Sequence, residues 1–126
     1  MKRPASLAQV AEWTLRDVGF SRQLADFLDQ FAIERRAEML DEEPVRLRGQ
    51  VTDGDVRDAY LAAVAVSLAR QIDVPPPRWA WADDRKLREP WFASSGPAIR
   101  ATLILESPAP FRERNLFVSS NALARA

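Results

Sequence analysis

The sequence predicts an all-α protein, and three observations carry that prediction. Apolar residues recur at three- and four-residue spacing through most of positions 7–72. The stretch from Ala59 to Ala69 is apolar on nearly every face, as a central buried helix requires. Seven of the nine prolines fall between positions 75 and 110, which leaves the first part of the chain almost free of helix breakers. The expected architecture is a single helical domain over 1–126. Core helices occupy about 7–72, a Pro/Trp-rich strap about 73–93, and a smaller helical part about 94–126.

Ser6 is placed to cap a first helix near 7–18. Leu7, Val10, Ala11, Leu15 and Val18 form its stripe, and Gly19 supplies a left-handed end. Trp13 lies off that stripe, against a neighbouring helix or open to a partner. Ser21 would cap a second helix whose apolar face is Leu24, Phe27, Leu28 and Phe31. The stripe drifts past Glu34-Arg35-Arg36, so a bend or break is expected before Pro44. Thr52-Asp53-Gly54-Asp55 resembles a capping box and opens a third helix running to about Gln71.

Pro75-Pro76-Pro77 is extended, polyproline-like chain. The strap should wrap the helices with its tryptophans as anchors, and a short helix is expected at 83–88. Ser94 or Ser95 would cap a fourth helix with Pro97 in its first turn. Residues 98–105 fit a helix or a strand, and Ala98, Arg100 and Ala101 favour the helix. Phe111 to Arg114 adds a further turn, Leu116 to Val118 is extended, and Ser119 or Ser120 would cap a last helix, 121–126.

Composition excludes several chemistries. The chain has no cysteine and no histidine, so it has no disulfide, no Cys/His zinc site and no Ser-His-Asp triad. Its four glycines are scattered, which argues against a phosphate-binding loop. Asp53, Asp55 and Asp58 lack calcium-loop spacing and suit the first turn of a helix. No catalytic residue, metal or cofactor is therefore expected, and the chain is expected not to be an enzyme. No signal peptide or membrane-spanning segment is expected, which points to the cytoplasm.

The 18 basic and 18 acidic residues balance, and 16 of the basic ones are arginine. Residues 1–63 carry a net charge of −3 and residues 64–126 a net charge of +3. A zero net charge weakens, without removing, the case for nucleic-acid binding. The residues that stand out as partner-binding candidates are aromatic or basic. Trp79, Trp81, Trp91 and Phe92 are concentrated in the strap, and tryptophans make natural interface anchors. Arg112, Arg114, Asn115 and Phe117 follow in an arginine-rich tail that also holds Arg125.

Five blocks carry a family resemblance: Leu24 to Phe31, Asp58 to Ala63, Glu89 to Phe92, Glu106 to Pro108, and Arg114 to Ser119. Taken in order, they resemble a family of small bacterial proteins that partner nucleotidyltransferase-type toxins in toxin–antitoxin or abortive-infection modules. The resemblance implies a non-enzymatic, antitoxin-like protein that binds and masks a toxin, the product of an adjacent gene. The alternative is a small DNA-binding transcriptional regulator using the helix pair at 7–31 or the basic C-terminal segment. Asp26 and Asp29 on the second helix suit phosphates badly.

Overall fold

The computed structural model describes residues 2–16 and 19–124. Its helices are α1 (Leu7–Leu15), α2 (Phe20–Glu34), α3 (Glu38–Asp41), α4 (Gly54–Gln71), α5 (Pro97–Glu106) and α6 (Ala109–Arg112). Two 3-10 turns, Arg78–Trp81 and Asp83–Arg85, lie in the strap, and two short strands, β1 (Trp91–Phe92) and β2 (Leu116–Phe117), pair in parallel. The chain is mostly helical, and residues 98–105 lie within a helix.

Ser6 caps α1: its Oγ accepts from the Gln9 backbone N–H at 3.1 Å, while Gln9 Oε1 accepts from Ala5 N–H at 2.8 Å. The helix ends at Leu15, and the expected last turn at Asp17 and Val18 lies outside the described residues. The second cap differs from expectation. Gly19, at φ −56°, is the N-cap of α2 and not a left-handed terminus. Its carbonyl accepts from Gln23 N–H, so the helix starts at Phe20 and Ser21 sits exposed inside its first turn. Starting there buries Phe20, which outweighs a side-chain cap. The break after Glu34 is a left-handed Arg35, φ 48°, whose N–H closes on the Phe31 carbonyl.

α4 is the axis of the core. Every residue from Leu61 to Val66 is fully buried. The capping box expected at its start does not form. Asp53 takes a left-handed φ of 56° without a side-chain cap bond, and the Gly54 N–H donates to the Val51 carbonyl of the preceding turn. The reason is close approach: a Cβ on Gly54 would lie 2.0 Å from the Leu47 carbonyl oxygen. Asp58, one turn on, points inward and is fully buried. Its carboxylate accepts from Leu47 N–H at 2.7 Å and Arg48 N–H at 3.1 Å, which ties the 44–51 connector to α4.

The strap reaches the same point from the other side. Arg85 is fully buried, 3.9 Å from the Asp58 carboxylate, and donates to the Pro44 carbonyl at 2.6 Å and the Asp58 carbonyl at 3.3 Å. The helix expected at 83–88 is only the turn Asp83–Arg85, because Arg85 must turn inward there.

β1 and β2 pair Trp91 with Leu116 and Phe92 with Phe117. Ser107 stands in for a third strand: its Oγ donates to the Leu116 carbonyl and accepts from Val118 N–H. α5 and α6 form the crossover between the strands. Gly96 precedes α5 with no side-chain cap bond, so neither Ser94 nor Ser95 is its cap. The last helix expected, 121–126, appears only as turns through 124, and Arg125 and Ala126 lie outside the described residues. Buried apolar residues from α1, α2, α4, the strap and the 111–118 segment form one continuous core.

Two substitutions test this node by urea unfolding. Gly54→Ala drives a Cβ into backbone that cannot give way and is expected to cost about 3 kcal/mol. Asp58→Ala leaves the Leu47 and Arg48 N–H groups without their acceptor and removes one of the two carboxylates near the buried Arg85, whose other, Glu43, lies at 3.4 Å; it is expected to cost about 3 kcal/mol.

Candidate functional site

The eight residues singled out in the sequence divide into locks and surface. Trp79 is a lock. Its indole N–H donates to the Leu40 carbonyl at 3.0 Å, and the Arg85 guanidinium lies 4.8 Å from its ring centroid. Arg114, expected at the surface, is 3% exposed. It donates to the Pro110 and Ala80 carbonyls at 2.8 Å each and stacks 5.1 Å from the Trp81 ring. Burial lowers its pKa from the ordinary arginine value. A guanidinium so enclosed cannot reach a phosphate or a partner carboxylate, which removes Arg114 from any contact surface. The same device thus holds both ends of Trp79-Ala80-Trp81: an arginine against an indole, with backbone carbonyls taking its protons.

Asn115 is also structural. It adopts a left-handed φ of 62°, and its amide donates to the Leu87 carbonyl at 2.7 Å. Arg112 and Trp81 remain exposed, Trp81 to 49%. Phe92 and Phe117 are half-buried, stacked with ring centroids 5.1 Å apart, and Arg100 of α5 lies over Phe92 at 5.0 Å. Trp91 is half-buried on the opposite side of the same strand, where it lines a groove with α2 and α4.

Three of the seven exposed large apolar side chains among the described residues lie on one helix that was not among those candidates. α5, Pro-Ala-Ile-Arg-Ala-Thr-Leu-Ile-Leu-Glu, buries one residue, Leu103. Ile99 and Ile104 are about half exposed, and Leu105 is 82% exposed. At helical spacing, Ala98, Ala101 and Leu105 form an outward stripe opposite Leu103, with Ile104 beside it. The sequence held the signal. A helix with one arginine and one threonine between Pro97 and Leu105 has no polar face to give to water.

Beside the buried lock runs a surface one. Arg46 makes a bidentate contact with Asp84 at 2.7 and 2.9 Å and pairs with Glu43. Its hydrogen bonds hold both carboxylates below their ordinary pKa. Among the described residues, no group of three or more acidic side chains is disposed to hold a metal ion. Compared with protein-family models, with curated proteins and with solved structures, the chain matches none.

Three variants separate the locks from the surface. Arg114→Ala is expected to cost about 2–3 kcal/mol in urea unfolding. Arg112→Ala is expected to stay within about 0.5 kcal/mol of the parent. Glu43 and Asp84 bind protons less tightly folded than unfolded. The stabilisation they give is therefore complete above about pH 4.5 and lost as the pH falls through their lowered values. Both are about half exposed, so the effect is below about 1 kcal/mol. It is expected to disappear from the acid limb of a stability–pH profile in Arg46→Gln.

Proposed function

We propose that this chain is a non-enzymatic protein-interaction module, an antitoxin-like partner that binds and masks a nucleotidyltransferase-type toxin encoded by an adjacent gene. The observation that carries the reading is α5, a ten-residue helix that buries only Leu103 and turns Ile104 and Leu105 to solvent. Exposed large apolar side chains clustered on one short element favour a protein contact. The five blocks that resemble the antitoxin-like family fit this use. Glu89 to Phe92, Glu106 to Pro108 and Arg114 to Ser119 build the ribbon and the Ser107 bridge from which α5 projects. Masking would place α5 in the buried centre of an interface. Among the described residues, no helix is long and apolar enough to cross a membrane.

The test is co-purification with the adjacent-gene product through a high-salt wash, followed by titration of variants. Leu105 is 82% exposed, so Leu105→Asp should leave the melting temperature unchanged. It should weaken the complex by about thirtyfold or more, the loss of a hot-spot residue. A complex unaffected by both Leu105→Asp and Ile104→Asp would remove α5 from the interface. Recovery of DNA alone, only at low salt, would replace the reading with a DNA-binding regulator.

A further inference from the structure

A second site lies on the other side of the β1 strand. Phe92 faces α5, whereas Trp91 and Ala93 face a half-open groove of about 410 Å³ between α2, the start of α4 and the 118–122 segment. That volume is in the range of small-molecule pockets. Its walls are the aromatic rings of Phe20, Tyr60 and Trp91, with Leu24, Val56 and Val118 between them.

Two polar groups at this groove have no hydrogen-bond partner among the described residues. Tyr60 packs edge-on against Phe20 and Phe111, and its hydroxyl makes no hydrogen bond among the described residues. Burial raises its pKa, so it is a neutral O–H donor at neutral pH. Arg57, one turn earlier on α4, lies half-buried with its guanidinium 4.7 Å from the Phe20 centroid. Among the described residues it has no carboxylate within 4.0 Å and no side-chain hydrogen bond. The contrast with Arg46, Arg85 and Arg114 is direct, since each of those donates to carboxylates or carbonyls. The guanidinium has a planar fork that matches a carboxylate, and the tyrosine adds one more donor.

We infer that this groove binds a small monocarboxylate with an aromatic body, the ring lying among Phe20, Tyr60 and Trp91 and the carboxylate on Arg57 and the Tyr60 hydroxyl. Asp53 also lines the groove and is exposed; its charge opposes any anion there, a dianion more than a monoanion, and its exposure to water weakens that repulsion. The two sites are back to back across the ribbon, so this inference does not depend on α5 contacting a partner.

The probe is phenylbutyrate, with phenylbutyramide as its uncharged counterpart, titrated into the full chain and read by amide NMR. Phenylbutyrate is expected to shift the resonances of Phe20, Arg57, Tyr60 and Trp91 with a Kd of about 1 mM or tighter. The amide should bind at least about tenfold more weakly, the worth of a charge-assisted hydrogen bond. In Arg57→Gln the acid and the amide should bind alike, and Tyr60→Phe should weaken the acid about threefold with folding retained. The inference is overturned if the acid shifts no groove resonance, or if its shifts gather on Ile104 and Leu105. It also fails if Arg57→Gln, shown folded by its spectrum, binds the acid as well as the parent does.

Discussion

The buried pair of Asp58 and Arg85 is the constraint on which the rest of this structure depends. Both side chains are fully buried. Removing two charges from water costs several kcal/mol each unless the interior returns the hydrogen bonds. Here it returns most of them. Asp58 accepts from two backbone N–H groups of the connector, and Arg85 donates hydrogen bonds to the Pro44 and Asp58 carbonyls. Only the Arg85 Nε remains without a partner. The pair joins the connector, α4 and the strap, segments that no local rule brings together. The glycine at 54 follows from it, because the connector must run against the first turn of α4 to reach Asp58.

Much of the helical frame was legible in the sequence, and the reasons for the misses are physical. The stripes of α1 and α2 and the all-round apolarity of α4 report burial directly, so those helices stand where periodicity puts them. Caps were harder. Ser21 is a better capping residue than Gly19, yet burial of Phe20 decided the start of α2. The ribbon was not legible as a pair, because two residues of β1 meet two residues of β2 about 25 positions on. Charged residues misled in one direction. Arg114 reads as surface on composition, and only the carbonyls of Pro110 and Ala80 converging on it make burial tolerable.

The exposure of α5 has a geometric origin. A helix that crosses between parallel strands ordinarily packs its apolar face on the sheet it serves. This helix spans about 15 Å at about 1.5 Å per residue, whereas each strand of the ribbon is about 7 Å long. The platform holds Leu103 and leaves the rest uncovered. Ile99, Ile104 and Leu105 are therefore exposed because the sheet is too small, and any cover has to come from outside the fold.

The absence of histidine and cysteine gives the arginine locks a further meaning. Guanidinium groups stay charged across the cellular pH range, even where burial draws their pKa down. The one methionine among the described residues, Met39, is 2% exposed. Among the described residues there is consequently no imidazole, no thiol and no exposed thioether to register mild acidification or an oxidant by changing its charge or its bonding. What occupies its surfaces shifts its state by mass action, and that occupancy also bears on how long the chain survives.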